Sequence, residues 1–321
     1  MKTFTPSYYS QFQCIAGDCP DSCCKEWAVD VDENTAAYYR SLTGPLGDRL
    51  REVLTDHNTM TIVEGRCPMW RQDGLCRIHA ELGHDALCRT CQDFPRIRHE
   101  FEDFTELGLE LSCPEAARLI LTTDWDMPLP CSSCDPDLEL LLKSRRVALD
   151  ILEDNFFSLP EALSIILIYA HHVQAALDGG EMPQLQADMH LKAAKDLAKD
   201  GDWRSLFSFF QSLEILTDAW KVRLSVGPQP VRWTETSKAL ARYMILRYWL
   251  QAISDLDLVC RVKLAVAACL LVGSLGGNPV EIAQLFSKEI ENDPDNIEAI
   301  LDGAYTSPAL TDQNLFSLLL A

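Results

Sequence analysis

The segment Cys14–Cys24, CIAGDCPDSCC, contains four cysteines in the arrangement Cys14-x4-Cys19-x3-Cys23-Cys24. Nine of the thirteen cysteines of this 321-residue chain lie in its first 113 residues. The other five of these nine occur in the contexts Cys67-Pro68, Gly74-Leu75-Cys76, Cys88-x2-Cys91 and Cys113-Pro114. Thiolates gathered this densely, at short and unequal spacings, predict a bound iron–sulfur cluster or zinc.

The predicted metal ligands are drawn from these nine residues: Cys14, Cys19, Cys23, Cys24, Cys67, Cys76, Cys88, Cys91 and Cys113. A cubane cluster takes four thiolates, so the sequence leaves open which four bind and whether a second metal is held. Zinc knuckles usually pair two short half-sites, and in this region only Cys88-x2-Cys91 has that form. We therefore predict a 4Fe–4S cluster, with zinc as the alternative. The Cys-x3-Cys-x2-Cys motif of radical enzymes is not predicted, because Glu26 stands at its third position.

Disulfide bonds are the main competing interpretation of the cysteines, and free core thiols are a third. A disulfide framework is typical of short secreted chains, whereas 321 residues can bury a full hydrophobic core. The N-terminus, MKTFTPSYYSQFQC, lacks the apolar run of a signal peptide. The number of cysteines is odd, and the adjacent Cys23 and Cys24 are too close for an ordinary bridge. We therefore expect reduced thiols in a cytoplasmic protein.

The chain is strongly acidic, with a formal net charge of −20. No nucleic-acid partner is expected, since neutralising phosphates requires clustered Lys and Arg. The charge suits a cationic partner, such as the lysine side chains of another protein, or serves solubility alone. The longest apolar run, Leu264–Ser274, is too short to span a bilayer, so it predicts a buried helix and no membrane partner.

Before residues 125–136 the sequence consists of short segments interrupted by Gly, Pro and Cys, and after them its pattern is helical. This change predicts two domains and a mainly α fold class. We expect residues 1–130 to form a Cys-rich, loop-rich metal-binding region with little β-structure, and residues 131–321 to form an α-helical bundle. In the first domain the pattern predicts strands within 27–32 and 102–111 and helices over 33–42, 46–56 and 79–82. In the second it predicts a helix from about 136, then helices over 159–177, 184–199, 202–220, 235–255, 257–275 and 278–292.

Cys113 lies at a predicted helix start. In Ser112-Cys113-Pro114-Glu115 the serine and the glutamate have the spacing of a capping box, and proline is tolerated in a first helical turn. The free amides and the dipole of that turn favour a thiolate over a thiol. Four cations lie close to the cysteines in sequence and would offset the charge of a thiolate-bound cluster: Lys25, Arg77, Arg89 and Arg96.

The remaining polar candidates have simpler interpretations. Cys131-x2-Cys134 lies in the proline-rich linker 125–137 without a βαβ context, which favours an accessory role. His171-His172 lies in an apolar helix and is interpreted as packing. Gly273–Gly277 lacks the strand–loop–helix context of a nucleotide-binding loop, so we interpret it as a helix C-cap and turn.

One combination of motifs resembles a known family. It consists of CPDSCCKEW (19–27), Cys67-Pro68, Gly74-Leu75-Cys76, Cys91-x2-Phe94-Pro95-Arg96 and Leu111-Ser112-Cys113-Pro114-Glu115. These motifs resemble the flagellin lysine-N-methylase (FliB) family, which belongs to a broader group with a CxxCxxCC-like zinc- or iron-chelating domain. The resemblance implies an enzyme that transfers methyl groups from S-adenosylmethionine to surface lysines of flagellin, the protein of the bacterial flagellum, with an iron–sulfur cluster.

A lysine methyltransferase must deprotonate its substrate, because a protonated amine is no nucleophile. An acidic or tyrosine base can do this, or desolvation that lowers the lysine pKa. Asp30, Asp32 and Tyr38 lie near the cysteines in sequence, but no catalytic residue can be singled out. The chain shows no glycine-rich Rossmann loop, so the position of S-adenosylmethionine is not assigned. The alternative function is a non-enzymatic iron- or zinc-binding protein that stores or delivers metal, or a zinc-stabilised interaction protein.

Overall fold

The computed structural model describes residues 2–25, 27–181 and 183–321. The helices that begin before residue 130 are Glu33–Ser41 (α1), Gly44–Val53 (α2), Arg77–Leu82 (α3), Arg89–Asp93 (α4) and Pro114–Thr122 (α5). Those that follow are Pro136–Glu153 (α6), Leu159–Leu177 (α7), Ala187–Leu197 (α8), Trp203–Gln211 (α9), Asp218–Val226 (α10), Glu235–Tyr248 (α11), Val259–Ser274 (α12), Pro279–Phe286 (α13), Pro294–Thr306 (α14) and Asp312–Leu319 (α15). The predicted mainly α fold class is confirmed.

Two small sheets lie in the N-terminal region. The strands are Lys2–Phe4 (β1), Val29–Asp30 (β2), Thr59–Met60 (β3), Arg96–Glu100 (β4) and Phe104–Leu109 (β5). The first sheet has the order β1-β5-β4, in which β1 is parallel and β4 antiparallel to β5, and the second pairs β2 with β3. The strands predicted within 27–32 and 102–111 are confirmed. The sequence pattern does not predict β4, because Arg96, Arg98 and Glu100 are the exposed residues of an edge strand.

Helix α12 is the centre of the large hydrophobic core. Every residue of α12 other than Gly273 is buried, and the helix packs against α7, α11, α13, α14 and α15. A helix that is apolar on all sides is stable only when other elements surround it. The predicted buried helix at Leu264–Ser274 is therefore confirmed. In the part of the chain that the structure describes, no helix is both long and apolar enough to cross a bilayer.

A second, smaller core lies beside the cysteines. Its buried residues are Val29, Val31, Ala36, Tyr39, Leu46, Leu50, Leu54, Met60, Met69, Ile78 and Leu87, together with Cys67 and Cys88. By contrast, β5 and α5 pack into the large core, through residues such as Phe104, Leu109 and Ile120. The junction 110–113 therefore connects the cysteine-rich region to the helical part. The division into domains 1–130 and 131–321 stays a prediction.

One predicted helix, over 202–220, is wrong. Helix α9 ends at Gln211 and α10 begins at Asp218. Between them, the Glu214 amide donates to Asn296 Oδ1 at 2.9 Å and the Leu216 amide donates to Glu289 Oε2 at 2.8 Å. These tertiary hydrogen bonds satisfy the backbone in place of helical ones, so the helical pattern of the sequence is interrupted.

Two other predicted helices change geometry before they end. The helix predicted over 235–255 is α11 followed by a 3-10 segment, Trp249–Ser254. The helix predicted over 278–292 is α13 followed by a π-helical turn, Ser287–Glu291, whose Lys288 and Glu289 are buried. Between α12 and α13, Gly276 and Gly277 have φ of 62° and 101°. This confirms the turn predicted after the apolar helix.

Candidate metal centre

All nine predicted cysteine ligands line one cavity. Its volume is about 370 Å³, and it lies between the loop that carries Cys14–Cys24, the segment 60–96 and the start of α5. Cys67, Cys88 and Cys113 are buried, whereas Cys14 and Cys23 are exposed. All thirteen cysteines of the chain are free thiols. The fold thus brings the predicted set together, while its binding of metal stays a prediction.

The first cysteine loop is held by its own backbone and by one bond to the next segment. The Ala16 amide donates to Cys14 Sγ at 3.4 Å, and the Cys19 thiol donates to the carbonyl of Asp21 at 3.2 Å. The Cys67 amide donates to the carbonyl of Cys24 at 2.8 Å. This bond fixes the Cys23-Cys24 doublet beside the second group of cysteines.

Three of the later cysteines each stand immediately before a helix. Cys76 precedes α3, Cys88 precedes α4 and Cys113 precedes α5. Cys91 follows Cys88 by one helical turn and shares its face of α4. The free amides of a first helical turn favour negative charge at such positions. Short helices therefore position Cys76, Cys88, Cys91 and Cys113.

Neighbouring thiols in the cavity share protons. A hydrogen bond from Cys91 lowers the pKa of Cys88 to about 7, and the same bond raises the pKa of Cys91, with burial as the second cause. The hydrogen bond to Cys23 raises the pKa of Cys24 to about 12. The bond to Cys24 likewise raises the pKa of Cys76. Crowded thiolates repel one another, so a cation that displaces the protons stabilises such a set of thiolates most.

Cys113 departs from the sequence prediction. Burial raises its pKa to about 11, although the amides of Ala116 and Glu115 oppose the shift. The predicted influence of the helix start is present, but desolvation outweighs it. The predicted capping box is wrong. Ser112 Oγ donates to the Glu110 carboxylate at 3.3 Å, and Cys113 itself occupies the N-cap position.

The nine thiols divide into two sets by their influence on one another. The six-thiol set consists of Cys24, Cys67, Cys76, Cys88 and Cys91, whose pKa values are shifted by neighbouring thiols, and of Cys23, which raises the pKa of Cys24. The three-thiol set consists of Cys14, Cys19 and Cys113. Because a cubane takes four thiolates, only the six-thiol set is large enough to hold one by itself.

Thiolates are ligands of both predicted metal forms, iron–sulfur clusters and zinc. Tetrahedral zinc with Zn–S bonds of about 2.3 Å requires ligand sulfurs about 3.8 Å apart. Among residues 2–25, 27–181 and 183–321, no three Cys, His, Asp or Glu are placed to hold one metal ion. The four thiolates of a cubane bind four different irons, so their sulfurs stand farther apart. The chemistry of nine thiols fits the predicted 4Fe–4S cluster, and which metal binds stays a prediction.

Aromatic rings and one cation complete the lining. The rings of Trp27 and Phe94 meet edge to face, with centroids 5.5 Å apart. The Arg96 guanidinium lies 5.3 Å from the centroid of the Phe12 ring, and all four residues border the cavity. Of the four cations predicted to offset cluster charge, the described lining includes Arg96 and does not include Lys25, Arg77 or Arg89.

The three candidate bases lie outside the described lining. Asp32 caps α1, and its carboxylate accepts from the Arg89 amide at 3.1 Å, which lowers its pKa. Asp30 bonds within the β2–β3 pair, and Tyr38 is exposed. Among the described residues, the carboxylate that lines the cavity is Asp21. It stands inside the first cysteine motif, but nothing in the spacing of the cysteines distinguishes it.

Two other predicted features lie away from the cavity. Cys131 and Cys134 are exposed and do not line it, and the Cys134 amide donates to Asp103 Oδ2 at 2.9 Å. His171 Nε2 lies 3.0 Å from Asp312 Oδ2 in the helical part. An accessory role for Cys131 and Cys134 stays a prediction.

Comparison with known proteins gives the cysteine-rich cavity a context. The chain is 30% identical over 129 residues to a protein named lysine-N-methylase from Salmonella typhimurium strain LT2, covering 36% of this chain and 31% of that protein. The chain is thus similar to lysine-N-methylases over about a third of its length. It is also 29% identical over 130 residues to the flagellar biosynthetic protein FliU of Salmonella muenchen, covering 36% of this chain and 75% of FliU.

The resemblance inferred from the cysteine motifs is thus confirmed. The lysine-N-methylase of Salmonella choleraesuis strain SC-B67 matches to the same extent, with 30% identity over 129 residues. The matched region spans about a third of the length of these curated lysine-N-methylases, 31% in each case. No family model and no solved structure matches the chain.

Proposed function

We propose that this protein is an S-adenosylmethionine-dependent protein lysine N-methyltransferase that modifies surface lysines of flagellin in the bacterial cytoplasm. We further propose that its cavity holds a 4Fe–4S cluster. The observation that carries the proposal is the meeting of all nine N-terminal cysteines in one cavity. Similarity to proteins named lysine-N-methylase gives the reaction type.

Four of the nine cavity cysteines would supply the cluster ligands, and the six-thiol set alone is large enough to do so. When bound, a cluster of this kind would supply concentrated charge and iron Lewis acidity. Trp27 and Phe94 would limit the access of water from one side. The Arg96 guanidinium would offset the net negative charge of a thiolate-ligated cluster.

The lining also favours one way of deprotonating a substrate lysine. Asp21, its carboxylate, already accepts hydrogen bonds from Gln284 and Lys288, so it is poorly suited to act as a base. The lining includes many apolar side chains, among them Val29, Met60 and Met69. An amine that enters such surroundings has a lowered pKa, because burial disfavours its charged form. We therefore propose desolvation as the route to the neutral lysine.

The overall charge agrees with a lysine-bearing partner. A net charge of −20 creates an attractive field for exposed ammonium groups and accelerates their encounter with the protein.

Methyl transfer to purified flagellin tests this function. The protein is purified without oxygen and incubated with S-adenosylmethionine and flagellin, and flagellin peptides are analysed by mass spectrometry. We expect whole methyl groups on flagellin lysines with wild-type protein and with the exposed-cysteine variant Cys131→Ser. A Cys88→Ser/Cys91→Ser variant should produce none. No mass gain from cluster-loaded wild-type protein would overturn the proposal.

A metal-delivery protein is the second candidate, and the exposure of Cys14 and Cys23 at the cavity favours it. Exposed thiols give an acceptor protein access to the metal by ligand exchange. Rapid transfer of iron or zinc to an apo acceptor, without methylation of flagellin, would support this second function.

A further inference from the structure

The side chain of Asp21, in the first cysteine loop, is bound by the distant C-terminal part of the chain. Gln284 Nε2 donates to Asp21 Oδ2 at 3.0 Å. Lys288 Nζ donates to both carboxylate oxygens of Asp21, at 2.9 and 3.2 Å. Asp21 stands between Cys19 and Cys23, so these bonds fix the middle of the loop that presents both thiols.

Gln284 joins this loop to the last predicted ligand. The same Nε2 atom also donates to the carbonyl of Ser112 at 2.8 Å, and the residue after Ser112 is Cys113. Gln284 and Lys288 are 8% and 4% exposed. Hydrogen bonds to a charged partner in such surroundings are about twice as strong as neutral ones and are weakly screened. One amide therefore spans the two segments that carry Cys19 and Cys113.

The segment that supplies these side chains is itself firmly anchored. Gln284 lies on α13, which packs against α5, and Lys288 lies in the π-helical turn that follows. In the same turn, Glu289 accepts from the Leu216 amide at 2.8 Å, and Glu291 accepts from the Tyr248 hydroxyl at 2.9 Å. The helical part therefore holds the turn on one side while the turn holds Asp21 on the other.

We infer that Gln284 and Lys288 are positioning residues of the cysteine cavity: through Asp21 and the Ser112 carbonyl they hold Cys19 and Cys23 opposite Cys113. The inference rests on the proposed function only in taking this cavity as the metal centre. It explains why the proposed metal centre and the helical part belong to one chain: ligand geometry at the N-terminal loop depends on residues near position 288.

Hydrogen exchange of the metal-free protein tests this role without requiring metal or methyl transfer. In Lys288→Met, the amides of residues 19, 21–24 and 110–113 should exchange about tenfold faster or more than in wild type. The matched control is Lys263→Met, because Lys263 is also a buried lysine but pairs with Asp312 in the helical part, at 3.0 Å. The control should leave exchange in both segments unchanged. Equal acceleration in both variants, or none in Lys288→Met, would overturn the inference.

A second variant covers the case in which Lys288→Met does not fold. Asp21→Asn keeps the shape of the side chain and removes its charge in a loop that is 25% exposed at this residue. It should show the same local acceleration and, after anaerobic loading with iron and sulfide, lose iron to a chelator about tenfold faster than wild type. Wild-type iron retention in Asp21→Asn would refute the positioning role. Failure to methylate flagellin with these results intact would count against the proposed function alone.

Discussion

At Cys113 two opposing effects on a thiol can be compared directly. It stands at a helix start, which favours a thiolate, but its burial raises its pKa to about 11. A buried, protonated thiol among other cysteines is suited to lose its proton only when a cation arrives. We therefore expect Cys113 to become a thiolate only when the cavity binds metal.

We therefore expect Cys113→Ser to lower both the metal content and the thermal stability of anaerobically purified protein. Because cluster binding is coupled to folding, the two losses should appear together. Cys131→Ser is the matched control, since Cys131 is an exposed thiol outside the cavity. Iron analysis and calorimetry of the same samples measure both quantities. Unchanged iron in Cys113→Ser would remove this residue from the ligand set.

Arg145 and Glu106 form the most deeply buried ion pair among the described residues. Their side chains are 1% and 5% exposed, and the two hydrogen bonds between them measure 2.8 and 2.5 Å. This pair connects β5, just before the Cys113 junction, to α6 of the helical part.

Removing one partner should be strongly destabilising, since the other charge is left buried. We expect Arg145→Met to lower the free energy of unfolding by about 3–5 kcal/mol in urea titrations. The exposed pair Arg98–Glu100 provides the comparison, and Arg98→Met should cost less than about 1 kcal/mol. Adding Glu106→Gln to Arg145→Met should recover part of the loss, and a further loss of similar size would contradict this account.

The start of α7 is the clearest case of an element specified by its own sequence. Ser158 and Glu161 form a capping box, with the Ser158 amide donating to Glu161 Oε2 at 3.1 Å. Ser158→Ala should therefore lower the free energy of unfolding by about 1 kcal/mol. Ser225→Ala is the control, because that exposed hydroxyl only donates back to the carbonyl of Val222 within α10. Equal losses in both variants would show that the cap contributes nothing.

His99, in strand β4, should make the folding stability of the protein depend on pH. Burial lowers the pKa of His99 to about 4, and Arg247 adds to the shift. The folded state therefore keeps this imidazole neutral where the unfolded chain, with a pKa near 6.5, takes up a proton. As pH falls from about 6.5 to about 4, this difference removes stability, and above about 6.5 it contributes nothing.

The variant His99→Gln lacks this titration. Between about pH 7 and pH 5, wild type should lose about 2 kcal/mol more stability than the variant. Urea unfolding at the two pH values measures the difference. Parallel losses in the two proteins would show that His99 titrates normally in the folded state.

Local signals explain which elements were predictable. Ser158 with Glu161, and Asp32 before α1, fix helix starts through side chains close in sequence, so both were foreseen. The break between α9 and α10 was not, because it depends on Glu289 and Asn296, more than seventy residues away. The cysteine set of the cavity was predictable from spacing and resemblance. Asp21, Gln284 and Lys288 were not, since their roles arise only when distant segments meet.

For the whole molecule, the two hydrophobic cores explain where the cavity lies. The small core holds Cys67 and Cys88, and the large core holds Cys113 and the helices. A site built across both depends on how they are joined, at the junction 110–113 and at Asp21. The cysteine cavity, the proposed metal centre, therefore lies where the cysteine-rich region meets the helical part.

The iron and acid-labile sulfide content per chain of anaerobically purified wild-type protein, measured with its visible spectrum, tests the proposed centre most directly. The account predicts about four irons and about four sulfides per chain, together with a thiolate-to-iron charge-transfer band. A colourless protein with tightly bound zinc and no sulfide would contradict it.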